Sequence, residues 1–242
     1  MKKKVSDFIA DYLVENGIDH VFTVVGGGAM HLNDSFGHHP KIHSVYNHHE
    51  QASAIAAEGY TRVHNKVGLV CVTSGPGAIN ALNGVAGAYM DSIPMLVLSG
   101  QTKSTLTVAS SGLSLRTLGN QEFDIISALD NMTKYAEMVM DAKKIKYCLE
   151  KAIYLAKSDR PGPCWLDIPL DIQGAFVETD DLVGYCETEE LLNVDLENLI
   201  REKATLVIDK LKNAKRPVIY AGNGIRISGA KVLLERLVDA TK

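Results

Sequence analysis

Residues 67–100 read VGLVCVTSGPGAINALNGVAGAYMDSIPMLVLSG, and they decide the fold class. VGLVCVT (67–73) is an apolar run broken by no charge, as expected of a strand covered on both faces, and PMLVLSG (94–100) is a second one. Between them SGPG (74–77) breaks the first strand sharply, and a helix is expected through about residue 91. Strand, glycine turn, helix, strand is a βαβ unit, whose strands lie parallel in one sheet.

The same alternation extends both ways along the chain. Phe8, Ile9, Tyr12 and Leu13 fall at helical spacing within 4–16, and Gly17 supplies the stop. HVFTVV (20–25) reads as a strand ending in GGG, followed by a helix over 29–36, a strand IHSVY (42–46) and an Ala-rich helix over 50–64. After the central unit, 101–118 is polar without an apolar period, as functional or mobile loops are. Helices are expected over 121–129 and 141–158, with strands MTKYAEMV (132–139) and GPCWLDIP (162–169). The expected fold is α/β, an open, mainly parallel sheet with helices on both faces, over residues 1–175. Residues 176–194 are acidic and aperiodic, which suits a linker. A helix (195–213), a strand with a glycine turn in RPVIYAGNG (216–224) and a helix from 228 then begin a second α/β domain. One strand and two helices are too little to bury a sheet, so this second domain reads as incomplete.

Composition removes several function classes. A net charge of −4 and a pI near 6.1, with no basic patch, argue against nucleic acid. Asp7, Asp11 and Glu15 interrupt the stretch after the basic start, so it fails as a signal peptide. No apolar run approaches the roughly 20 residues of a membrane span. Cys71, Cys148, Cys164 and Cys186 share no metal-type spacing, and Cys71 and Cys164 fall in strand-like runs as reduced thiols, from which a cytoplasmic location is expected. All eight histidines precede residue 65, with His38, His39 and His43 in a turn-rich, surface-like stretch, and no metal ligands are expected.

Three glycine clusters end expected strands: Gly26-Gly27-Gly28, Ser74-Gly75-Pro76-Gly77 and Gly222-Asn223-Gly224. In open parallel sheets ligands bind beyond the carboxyl ends of strands, and glycine allows close backbone approach. None of the three is a dinucleotide or Walker fingerprint, and each alone is as well explained by a tight turn. Glu50, in NHHEQASAIAAEGYTR (47–62), opens a helix on the same edge. It is either a first-turn acid in the helix dipole, worth about 0.3–1 kcal/mol, or an acid with chemistry to perform. Ala52, Ala54, Ala56, Ala57 and Gly59 give it little polar company. The carboxyl is therefore expected to be partly desolvated, which suits proton exchange with a ligand nitrogen.

HHEQASAIAAEGYTRV (48–63), VTSGPGAINALNGVAGAYMDSIPMLVLSG (72–100) and RPGPCWLDIPLDIQ (160–173) together resemble the pyrimidine-binding domain of thiamine-diphosphate enzymes. The acetolactate synthase and pyruvate oxidase group is the match, across 4–175, and AKRPVIYAGNGIRISGA (214–230) resembles the start of its central domain. The resemblance implies a lyase or transferase that decarboxylates or ligates a 2-oxo acid. Glu50 would then hydrogen-bond the aminopyrimidine ring nitrogen and favour the tautomer that removes the thiazolium C2 proton. Gly26, Gly27, Ser74, Gly75, Pro76 and Asn80 would line the cofactor, with Gly28 and Gly77 in the same turns. Gln121 would face substrate as a second catalytic residue, with Lys134 near the entrance; His48 and His49 are either near the cofactor or structural.

The chain departs from the pattern at Val24 and Val25, where acetolactate synthases carry a proline and an aromatic, and at Asn120, where they carry phenylalanine. Both departures put pyruvate in question as the substrate. The resemblance also implies Mg²⁺ bridging the diphosphate through a Gly-Asp-Gly motif, which residues 1–242 lack, and it allows FAD in a further part. The chain alone is therefore expected to be inactive, and the family's site lies between subunits of a homo-oligomer, a dimer or tetramer. A natural split subunit, or a non-catalytic nucleotide-binding or regulatory α/β domain, is the alternative.

Overall fold

The computed structural model describes residues 1–190 and 196–241, which fall into two compact units, Met1–Glu187 and Thr188–Lys242. The first unit runs β1 (Lys2–Lys4), α1 (Val5–Glu15), β2 (His20–Thr23), α2 (Met30–His38), β3 (His43–Tyr46), α3 (Glu50–His64), β4 (Gly68–Val72) and α4 (Pro76–Met90). It continues β5 (Met95–Gln101), α5 (Val108–Ser111), α6 (Ile125–Ala128), β6 (Tyr135–Met138), α7 (Ile145–Lys157), β7 (Pro163–Pro169), α8 (Leu170–Gly174) and β8 (Phe176–Glu178).

Six strands form one sheet in the order β3-β2-β4-β5-β7-β6, every neighbouring pair parallel. Period-two alternation divides each central strand between two cores. Leu69, Cys71, Leu96, Leu98, Cys164 and Leu166 pack with Ile9, Leu13, Leu32, Phe36, Leu149 and Ile153 of α1, α2 and α7. Val70, Val72, Met95, Val97 and Trp165 face Ala54, Ala57, Ala81, Val85 and Ile125 of α3, α4 and α6. With both faces buried, the central strands are apolar throughout, which is why the sequence shows them as runs and not as alternations.

The order of the strands creates a crevice. From β2 the chain goes out to edge strand β3 and returns to β4 on the other side of β2. After β2 it leaves toward the α2 face, and after β4 toward the α4 face. Beyond the carboxyl ends of β2 and β4 the backbone therefore diverges, which is where an open α/β sheet takes a ligand.

Three local expectations change. The helix expected over 121–129 is confined to Ile125–Ala128. Gln121 stands at φ 55°, Glu122 accepts the amides of Leu118 (2.7 Å) and Gly119 (3.1 Å), and Asp124 caps α6 through the Ser127 amide. These side chains compete with the backbone for helix hydrogen bonds. The stretch from 176 opens with β8, antiparallel to β1, and Val177 and Leu182 are buried against the first core. Its residues 191–194, and the expected helix start at 195, lie outside the described residues.

The second unit contains α9 (Leu196–Asn213), α10 (Gly224–Ile227) and α11 (Lys231–Ala240). The strand expected over 216–224 does not form, and Val218 and Tyr220 are 89% and 98% exposed. A strand needs a ladder partner for its amides and carbonyls, and the described residues of this unit supply none. Among the described residues no helix is long and apolar enough to cross a membrane.

Candidate functional site

Glu50 is the first residue of α3, immediately beyond β3, and is half-buried. His49 precedes it as the N-cap, in extended conformation, its Nδ1 accepting the Gln51 amide at 3.1 Å. That settles the structural member of the histidine pair, while His48 is exposed. Asn80, one turn into α4, donates from Nδ2 to Glu50 Oε2 at 3.0 Å. A second rung follows, Gln51 Nε2 to Asn83 Oδ1 at 3.1 Å. The carboxyl is thus held between the front ends of two helices, while Oε1 has no hydrogen bond among the described residues and points past Gly77. A Cβ on Gly77 would lie 3.3 Å from it.

The small residues behind Glu50 serve a different purpose from the expected dry wall. Ala52 and Gly59 are exposed, whereas Ser53, Ala54 and Ala57 form the buried stripe of α3. A Cβ on Gly84 of α4 would lie 2.5 Å from the Ala54 Cβ, so the stripe sets the close approach of α3 and α4. That approach is what brings Asn80 within reach of Glu50.

Thr73, at the end of β4, is the residue the sequence reading missed. Its Oγ1 accepts the Gly28 amide at 3.0 Å. Its side chain occupies the space a Cβ would take at Gly26 (2.5 Å) and at Gly77 (2.7 Å). Ser74, buried, does the same at Gly28, where a Cβ would meet Ser74 Oγ at 2.7 Å. The glycines of the two turns are therefore required chiefly by each other's loops, clasped around Thr73, and less by approach of a ligand. Gly27 alone among them has open space at its Cβ position. Pro76 occupies the first turn of α4, where a missing amide costs nothing.

Gly75 is the tightest position of these two turns. It adopts φ 56°, ψ −114°, and a Cβ there would stand 2.3 Å from the Gln121 carbonyl oxygen. Gln121 is thereby placed against the Ser74–Gly77 turn. Gly75→Ala should cost about 1–3 kcal/mol through backbone strain, read as a lower urea midpoint, whereas Gly27→Ala should leave the midpoint nearly unchanged. Equal midpoints for the two variants would contradict this assignment. Lys134 is not brought to the site: it precedes β6, at the amino edge of the parallel sheet, and its Nζ donates to the Ser158 carbonyl at the end of α7 (2.6 Å).

A second acid lies below the same edge. Asp167, fully buried in β7, accepts from Ser99 Oγ at 2.6 Å and Gln101 Nε2 at 2.9 Å, and Ser99 in turn accepts from Trp165 Nε1 at 2.7 Å. Burial pushes its carboxyl up to about 7, against the lowering effect of the Ser99 and Gln101 hydrogen bonds. The signal in the sequence was an acid inside an apolar run, WLDIP, which needs a buried partner. The buried thiols are ordinary core groups: burial pushes Cys71 and Cys164 up to about 12. Among the described residues no cluster of His, Cys, Asp and Glu could hold a metal ion.

The donor set at Glu50 fits a planar nitrogen heterocycle: one carboxylate oxygen is fixed by an amide, the other is unengaged, and both stand at a crevice edge. The family model described as thiamine pyrophosphate enzyme, N-terminal TPP binding domain, matches residues 3–128. The acetolactate synthase large subunit of Lactococcus lactis subsp. lactis (strain IL1403) is 35% identical over 239 residues, covering 97% of this chain and 39% of that protein. The acetolactate synthase large subunit of Buchnera aphidicola subsp. Acyrthosiphon pisum (strain APS) is 38% identical over 224 residues, 91% of this chain and 37% of its own length. Acetolactate synthase 2, chloroplastic, of Nicotiana tabacum is 32% identical over 244 residues, 99% of this chain and 34% of its own. The chain thus spans less than two fifths of the length of these relatives.

Proposed function

The chain belongs to the thiamine pyrophosphate enzymes, as their N-terminal TPP binding domain, and on that premise we propose that the Glu50 edge holds the aminopyrimidine of thiamine diphosphate for an acetolactate-synthase-like reaction of a 2-oxo acid. The observation that carries the reading is the Glu50 carboxyl, fixed through Oε2 by Asn80 and unengaged at Oε1, beside the crevice of β2 and β4. When bound, the cofactor supplies the carbon nucleophile and electron sink for decarboxylation or carboligation. Glu50 holds and returns a proton at Oε1 toward the ring nitrogen. Asn80 keeps the carboxyl from rotating away, and the interlocked turns at Gly26–Gly28 and Ser74–Gly77 give the crevice a fixed wall. Gln121, seated against Gly75, is proposed to face the substrate.

The diphosphate and its Mg²⁺ are proposed to be held by a separate domain carrying the Gly-Asp-Gly motif. Val25, Met30, Tyr46 and Ile79, at 60%, 51%, 60% and 40% exposure, lie on the elements at this carboxyl edge. So much exposed apolar surface supports an assembly in which a second subunit covers the edge. A cytoplasmic location belongs to the same reading, supported by the three buried free thiols. Loaded with thiamine diphosphate and Mg²⁺, the protein carrying this chain should release carbon dioxide from at least one member of a panel of 2-oxo acids. Cofactor binding without decarboxylation of any of them would overturn the reaction class.

A further inference from the structure

The two walls of the crevice are held from one place. Gln101, the last residue of β5 and 1% exposed, uses both N–H groups of its amide: Nε2 donates to Asp167 Oδ2 at 2.9 Å and to the Phe123 carbonyl at 3.0 Å. Its Oε1 accepts the Thr102 amide at 3.0 Å. Phe123 is two residues beyond Gln121, in the loop that lies against Gly75. Gln173 of α8, fully buried, repeats the device: Nε2 donates to the Ile168 carbonyl and to the Gly28 carbonyl, both at 2.7 Å. Asp167 and Ile168 are consecutive residues of β7.

The chemistry of the bridge is specific. A primary amide nitrogen carries two donors on one atom and no charge, so it can join two acceptors that would otherwise repel. A carboxylate offers only acceptors to these same carbonyls, and an aliphatic side chain offers nothing. At Gly28 the fit leaves no slack, since a Cβ on Gly100 would come within 2.0 Å of the Gly28 oxygen. The Gly28 carbonyl is thus pressed onto β5 and drawn by Gln173 toward β7, while its amide is taken by Thr73. On the other side, Ser99 orients Asp167 and Asp167 orients Gln101, so the position of the Gln121 loop traces back to β7 as well.

We propose that the carboxyl end of β7 is the common anchor of both walls, acting through Gln101 and Gln173 as positioning residues, the first for the Gln121 loop and the second for the Gly26–Gly28 turn. Only the identity of the ligand between the walls rests on the cofactor reading. The test is backbone hydrogen exchange on the ligand-free chain, comparing wild type with Gln101→Met and Gln173→Met, which keep volume and remove the donors. Gln101→Met should speed exchange at the Gly119, Glu122 and Ile125 amides by about tenfold, and Gln173→Met should do so at Gly28 and Ala29, each leaving the other set at the wild-type rate.

In the cofactor-loaded enzyme, Gln101→Met should raise KM for the 2-oxo acid with thiamine diphosphate affinity unchanged, while Gln173→Met should weaken the cofactor. Unchanged exchange at both segments, or a uniform rise across the chain in both variants, would overturn the proposal. If a methionine variant does not fold, the alanine variant, which leaves room for water at the vacated amide, is read in the same way. Failure of the cofactor reading would leave the exchange result on the free chain untouched, so the two can be told apart.

Discussion

Glu50→Gln should slow exchange of the thiamine C2 proton in the cofactor-loaded enzyme by about 10²–10⁴-fold while the cofactor stays bound. The substitution keeps side-chain length and leaves an oxygen to accept from Asn80, which now donates to Glu50 Oε2 at 3.0 Å. It also leaves a group able to hydrogen-bond a ring nitrogen. What it removes is the exchangeable acid. Magnitude separates this from a structural effect, because a first-turn acid contributes only about 0.3–1 kcal/mol to its helix. Loss of that dipole contribution alone would barely change the thermal midpoint and would not touch proton exchange. NMR of deuterium incorporation at C2 gives the rate directly, and an unchanged rate would remove Glu50 from the mechanism.

Asp167→Asn should stabilise the chain above pH 7 and flatten its stability profile between pH 4 and 7. The ordinary aspartate value is 3.8, and burial lifts the folded value to about 7. Between those limits the native state keeps a proton that the unfolded chain releases, so stability falls as pH rises through the window and is constant above it. At about 1.4 kcal/mol per pH unit the full span amounts to roughly 4 kcal/mol. Asparagine removes the charge but leaves one donor of the Ser99 and Gln101 pair imperfectly matched, which takes back about 1–2 kcal/mol. A net gain of about 2–3 kcal/mol at pH 8 is therefore expected, turning into a net loss of about 1–2 kcal/mol near pH 4, where the ionisation contribution is gone and only the mismatch remains. Urea denaturation of both proteins at the two pH values measures it, and the same stability difference at pH 4 and at pH 8 would show that Asp167 carries no ionisation penalty.

The two acids illustrate what could be read along the chain. Glu50 was legible because everything that marks it is local: a strand, a helix start and small residues within one short stretch. Its resemblance partner segments, in order along the chain, supplied a ligand for it. Asp167 was visible only as an anomaly in WLDIP, since its partners Ser99 and Gln101 lie 68 and 66 residues away. Thr73 carried no signal at all. It follows an apolar run and precedes a glycine turn, as an unremarkable threonine would, and its contact with Gly28 spans 45 residues. Lys134 shows the converse, a residue matched by its neighbours in sequence whose strand direction carries it to the opposite edge of the sheet.

Local pattern along the chain thus set the six strands of the parallel sheet, the long helices between them, the α/β class and the edge on which Glu50 stands, because hydrophobic period and glycine breaks act over a few residues. Only the tertiary structure decided what faces what. The strand order put the β2 and β4 ends together, the Ala54–Gly84 contact carried Asn80 to Glu50, and Gln173 reached Gly28 across 145 residues of chain. It also left 216–224 without the ladder partner a strand requires. Local pattern sets what each segment can become, and contacts between distant segments depend on which strand lies beside which, a choice no short window contains.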